Sequence, residues 1–132
     1  MKLIPESHRD LLTDDIRAFL FLATLMSDGS PQLTPVWFSS DGQHILINTA
    51  EGRVKDRNMR SRASVAVCIE DPRTAYRYMQ IRGRVVERTY EGADDHINAL
   101  NQKYRGKPWV PRPGQRRVIY KVLPEKVDVR DE

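Results

Sequence analysis

Residues 24–60, TLMSDGSPQLTPVWFSSDGQHILINTAEGRVKDRNMR, decide the fold of this 132-residue chain. Asp28-Gly29 is a strong hairpin signal, because glycine tolerates the positive φ of a tight turn. Upstream of it, residues 18–27 (AFLFLATLMS) are too apolar and too few for a surface helix and read as a buried strand. Downstream, residues 32–38 alternate Leu33, Pro35 and Trp37 against Thr34, Val36 and Phe38, which predicts a second strand. Pro35 has no N–H to give a ladder, so that point must be an edge or a bulge. Asp41-Gly42 turns the chain again, and residues 44–49 (HILINT) form a third strand. Alternation then stops. Residues 50–62 read as a helix beginning near Gly52 and carrying Arg53, Lys55, Arg57 and Arg60.

Outward from this stretch the pattern repeats. Residues 64–70 (SVAVCIE) are a strand closed by Asp71-Pro72, and residues 78–89 a long strand in which Ile81, Gly83 and Val85 pack. In residues 90–104 the apolar positions Ala93, Ile97, Leu100 and Tyr104 recur every three or four residues, the mark of an amphipathic helix. Residues 107–115 are a proline-rich loop, and 117–123 with 126–129 supply the last strand or strands. A short helix is expected over residues 6–12, after Pro5. About six strands with short turns and few helices predict a mainly β protein, a β-barrel in a single domain over residues 1–132.

Hydrophobic content of 39% and charged content of 30% are those of a globular protein. No apolar run approaches the roughly 20 residues that cross a bilayer, and the N-terminus lacks a signal-peptide core, so a cytoplasmic chain without membrane contact is expected. Cys68 stands alone, which excludes an internal disulfide and a cysteine-cluster metal site; mid-strand, it is expected as a small buried hydrophobe. His8, His44 and His96 have no ligand spacing and are expected at the surface, with no metal. The net charge is +4. Basic residues concentrate at 53–62, 73–88 and 112–117, which favours a local anion site over a nucleic-acid track. The chain has no nucleophile elbow, no G-x-G-x-x-G and no P-loop.

A strand followed by fixed positive charge is a way to hold a phosphate. In a helix Arg53, Arg57 and Arg60 share a face; Arg53 and Lys55 point together only if residues 52–55 are still loop. The plain alternative is a solvated helix face. Trp37, Tyr78 and Trp109 are balanced between core or subunit interface and ligand contact, and Trp109 sits where it could cap a site mouth.

The segments DGSPQLTPVWF, HILINTAEGRVKDRNMR, ASVAVCIEDP and YMQIRGRVVE, in this order, resemble the pyridoxamine 5′-phosphate oxidase-like split β-barrel (FMN-binding-like) proteins, and most of all their coenzyme F420 (deazaflavin)-dependent oxidoreductases. The resemblance runs from about residue 11 to 129. It implies a homodimer with the cofactor in a groove at the interface. Thr34, Pro35, Val36 and Trp37 would lie along the cofactor ring, and Asn48, Thr49 and Ala50 near the ribityl phosphate. Arg53 and Lys55 would neutralise that phosphate, while Tyr78 and Gln80 would meet the neighbouring subunit's cofactor. It further implies hydride transfer from reduced F420 to a small organic acceptor, with FMN as the alternative cofactor. A basic rim of Arg82, Arg84, Arg112 and Arg116 would suit the coenzyme's acidic tail. The competing readings are an FMN-dependent oxidase or reductase and a non-catalytic flavin-, deazaflavin- or haem-binding protein. No arginine–histidine motif of a true pyridoxamine phosphate oxidase follows, so that activity is not expected.

Overall fold

The computed structural model describes residues 2–131. A 3-10 helix, Glu6–Leu12, precedes β1 (Phe19–Leu25), β2 (Pro31–Val36), β3 (Phe38–Ser40), β4 (Ile45–Ala50), α1 (Val54–Ser61), β5 (Ser64–Glu70), β6 (Arg77–Thr89), α2 (Ala93–Arg105) and β7 (Arg117–Asp131). The seven strands make one antiparallel sheet in the order β2-β1-β5-β6-β7-β4-β3. The β1–β2 hairpin turns where expected. Gly29 takes φ +87°, its N–H donates to the Met26 carbonyl (2.9 Å), and Ser30 N–H is held by Asp28 Oδ1 (2.9 Å).

One expectation fails in an informative way. The strand read over residues 32–38 is two strands, which raises the count from about six to seven. β2 pairs with β1 at one edge of the sheet, and β3 pairs with β4 at the other. Only Trp37 separates them, and a single residue spans about 3.5 Å. The two edges therefore meet at Trp37, and the sheet must curl into a half-barrel to let them do so. Pro35 fits this arrangement, since β2 is an edge strand.

At the other end of the sequence the two runs read at 117–123 and 126–129 are one strand. β7 passes through Pro124 because the register slips there: Arg82 faces Lys126 while Gly83 faces Pro124. The bulge needs no N–H at the proline. Gly83 is required at this crossing, since a Cβ there would stand 2.4 Å from the Leu123 carbonyl oxygen.

The concave face of the sheet holds the core, with Leu20, Leu22, Ile47, Ile69, Met79, Ile81 and Tyr120 fully enclosed. α1 is pinned to it by a buried polar knot. Asp56 takes the Gly52 N–H (2.8 Å) and the Tyr120 hydroxyl (2.5 Å), and Arg88 reaches both Asp56 Oδ1 (3.2 Å) and the Tyr120 oxygen (2.9 Å). Every charge in the knot is paired, which is the condition for burying it. The 3-10 helix is tied down by Arg77, which bridges Asp10 (2.6 Å) and buried Asp71 (2.9 Å). No helix among the described residues is long and apolar enough to cross a membrane.

Candidate functional site

A groove of about 720 Å³ opens beside the seam at Trp37. Its walls come from the β1–β2 edge, the end of β4, the first turn of α1, the last half of α2 and the loop before β7. Six cations line it, Arg53, Lys55, Arg105, Lys107, Arg112 and Arg117, and no carboxylate does among the described residues.

Local geometry explains why the cations converge. Gly52, at φ +92°, ends β4 and turns the chain into α1. Arg53 is the residue before the helix, in extended backbone, and Lys55 lies in its first turn. The two therefore point into one groove, which an all-helical segment would not allow; Arg57 and Arg60 are exposed elsewhere on α1. Arg117 at the start of β7 is only 7% exposed. None of Arg53, Lys55 and Arg117 has a carboxylate within 4.0 Å among the described residues. The cost shows in the protonation of Lys55 and Arg117. Burial, then the charges of Arg53 and Arg117, pull the half-buried Lys55 ammonium below its ordinary pKa. Burial, then Arg53, lowers Arg117 to about 10, with Arg112 adding to the effect and Asp94 opposing it. A third sign sits between them: Thr49, 1% exposed, presents a buried hydroxyl with no hydrogen-bond partner. Uncompensated cations around an unsatisfied hydroxyl suit an anion with several acceptor oxygens.

Of the residues picked from sequence, Pro35, Val36, Trp37, Asn48, Thr49, Arg53 and Lys55 come together in this groove. Thr34 precedes them on β2 and also holds a buried unpartnered hydroxyl. Ala50 is buried at the end of β4 beside them. Tyr78 and Gln80 lie outside the groove, on β6. Gln80 belongs to one row across the sheet with Pro35, Phe21 and Cys68. Trp37 stacks on Tyr104 (centroids 5.3 Å apart) and carries the Arg105 guanidinium 5.1 Å from its ring.

The rim is smaller than expected. Arg112 lines the groove, but Arg82 lines a separate cavity, Arg84 pairs with Glu125 (3.3 Å) and Arg116 covers the Tyr90 ring. Arg117 is the residue that sequence reasoning passed over; its only signal was membership of the basic run at 112–117. His8 departs from expectation: it is 1% exposed and hydrogen-bonds the Arg130 carbonyl (2.9 Å). His44 lies on the exposed turn, as expected, paired with Asp41, and His96 is half-buried on α2 between Ser39 and Asn48. Cys68 is half-buried on the sheet's outer row, with burial raising its pKa. No cluster of three metal-ligating side chains occurs among the described residues.

A curled seven-stranded antiparallel sheet with this groove defines the class, and the pyridoxamine 5′-phosphate oxidase family model matches residues 4–131, so the chain belongs to that family, whose members bind flavin-type cofactors. Among solved structures it is similar to an F420 reductase, at 31% identity and TM-score 0.83, covering 95% of this chain and 98% of that one. A conserved hypothetical protein of Mycobacterium tuberculosis shares the fold at 23% identity and TM-score 0.74, covering 97% of this chain and 85% of the other. So does HupZ of Group A Streptococcus, at 16% identity and TM-score 0.69, covering 96% and 93%. No curated protein matches significantly.

Proposed function

We propose that this protein is an F420-dependent oxidoreductase that passes a hydride from reduced deazaflavin to a small organic acceptor. The observation that carries the proposal is the groove's six cations and orphan Thr49 hydroxyl without a lining carboxylate. Likeness to an F420 reductase over nearly the full length of both chains favours deazaflavin. The phosphate pocket would accept FMN equally well, and the family match keeps FMN as the second reading.

In this reading Arg53, Lys55, Arg117 and Thr49 hold the cofactor phosphate, and the edge from Thr34 to Trp37 lies along its ring. Asn48 and Ala50 complete the end of β4, and Arg112 remains to meet further negative charge. When bound, the deazaflavin supplies a hydride equivalent to an electron-poor double bond. Among the described residues the groove is lined by no carboxyl, imidazole, thiol or phenol, so the accompanying proton would come from a lysine ammonium (Lys55 or Lys107), water or substrate. The chain's own task is position and charge.

A homodimer would complete the site. The outer face of the sheet leaves Leu33 67% and Phe19 49% exposed, and Phe21, Ala23 and Leu25 share it with Gln80. A second copy seated there would bring Tyr78 and Gln80 towards its partner's groove.

Fluorescence titration with F420 and with FMN tests the proposal. F420 should bind, and Lys55→Ala should weaken it about 10- to 150-fold, the worth of one charge-assisted bond. Tight FMN binding with none for F420 would overturn the deazaflavin assignment. Binding that ignores Lys55→Ala would remove the phosphate assignment. F420 binding without oxidation of the reduced form by any of a panel of acceptors would leave a carrier.

A further inference from the structure

Behind Arg117 runs a chain of hydrogen bonds that the cofactor reading does not use. Arg117 Nε–H donates to Asn48 Oδ1 at 2.8 Å, and its Nη1 reaches Gln115 Oε1 at 3.3 Å. The Asn48 amide nitrogen faces the Ala93 carbonyl (2.8 Å) and His96 Nδ1 (3.2 Å). His96 Nε2 meets Ser39 Oγ at 2.8 Å. The directions of these bonds follow from chemistry. Arginine can only donate, so Asn48 must present its oxygen to Arg117 and its NH₂ to the other two partners. His96 Nδ1 is therefore an acceptor, the ring is neutral, and its proton sits on Nε2, pointing at Ser39.

We infer that His96 is a positioning residue for the anion site: its bare Nδ1 holds the Asn48 amide, whose oxygen in turn sets the plane of the Arg117 guanidinium in the groove. The inference rests on the phosphate-binding role proposed for Arg117. An arginine fixed through Nε keeps its remaining N–H groups aimed in one direction, which lowers the entropy lost when an anion binds. Among the described residues no other side chain takes the second amide hydrogen of Asn48. Burial is the main reason that His96 stays neutral, with the Arg117 charge adding to it. A protonated ring would turn its acceptor into a donor against the Asn48 NH₂. The charged groups around the ring are Arg117 on β7, and Asp14, Asp15, Arg17, Arg73 and Lys103 in the cavity on the far side of α2.

The test compares Arg117→Met, His96→Leu, His96→Asn and His96→Gln in the full chain. FMN and F420 binding is followed by fluorescence, and the Arg117 Nε–H resonance by ¹⁵N NMR without ligand. Asparagine places an acceptor oxygen near the imidazole Nδ1 position, glutamine near Nε2. His96→Leu should weaken binding about tenfold, the worth of one hydrogen bond, and shift or broaden the Nε–H signal. His96→Asn should stay within about threefold of the unaltered chain and keep the signal. Equal loss in His96→Leu and His96→Asn, or an unmoved Nε–H signal in His96→Leu, would overturn the inference. If His96→Leu does not fold, the pair His96→Asn and His96→Gln decides: equal binding overturns it and weaker binding by the glutamine variant supports it. Binding unaffected by Arg117→Met would sink the phosphate reading instead, and the NMR signal would still judge the coupling.

Discussion

Lys55 and Arg117 repel each other in a groove without a lining carboxylate, and that tension makes them testable at the scale of single residues. Functional sites hold such unfavourable charge because a ligand relieves it. Lys55→Met should therefore raise the thermal midpoint of the ligand-free chain while weakening cofactor binding. The gain should be about 0.5 kcal/mol, since a half-buried ammonium is screened by solvent. Calorimetry with and without F420 would show the opposite signs; a loss of stability without ligand would contradict the reading. Asp56 behaves differently, because its charge is fully paired under α1. Asp56→Ala leaves the partly buried Arg88 without its counter-ion and the Tyr120 hydroxyl and Gly52 N–H without their acceptor, and should cost about 2–3 kcal/mol in urea unfolding. His96 gives a pH dependence. Its folded pKa, lowered to about 4, lies below its ordinary 6.5, so the unfolded chain binds the proton more readily between those values. Its contribution to stability is whole above about pH 6.5 and is lost as the pH falls towards 4. His96→Asn should flatten that part of the stability–pH curve. Arg53 and Lys55, which meet in the cationic groove, were legible as a basic run after a strand. The histidine was not, because a contact with Asn48 across 48 residues of chain leaves no trace in spacing.

At the scale of elements, periodicity located most strands and α2, the end of alternation located α1, and the reading failed where two physical demands met. Residues 32–38 alternate without interruption, yet the ladder changes partners at Trp37. Alternation reports only which face a side chain takes, and both halves of the stretch keep the same alternation. Likewise Pro124 looked like a boundary between two strands, but a bulge absorbs it. Gly83 pays for the close approach of β6 and β7 at that bulge. Gly83→Ala would set a Cβ against the Leu123 carbonyl and should destabilise the chain by about 1–3 kcal/mol. A urea midpoint equal to that of the unaltered chain would show that the strands part easily. At the start of α1, Gly52 and the extended Arg53 resolve the open choice between loop and helix, and this local kink lets Arg53 and Lys55 share a groove.

For the whole molecule, the exposed apolar row on the outer face sets the expectation that two copies associate. Leu33→Asp, at the most exposed of these positions on the sheet, should shift sedimentation from dimer to monomer and weaken F420 binding with it. A monomer that binds F420 as tightly as the unaltered chain would remove the partner's Tyr78 and Gln80 from the site. By itself, the sequence determined the β-rich class, the two glycine turns, the amphipathic α2 and the basic segment after β4. These are local properties, written in alternation, turn chemistry and charge along neighbouring residues. Tertiary structure alone decided that the sheet's two edges meet at Trp37, that Arg117 joins Arg53 and Lys55, and that His96 stands behind them. Those facts depend on which strands pair across more than sixty residues of chain, and strand pairing is settled by the closure of the sheet around one core.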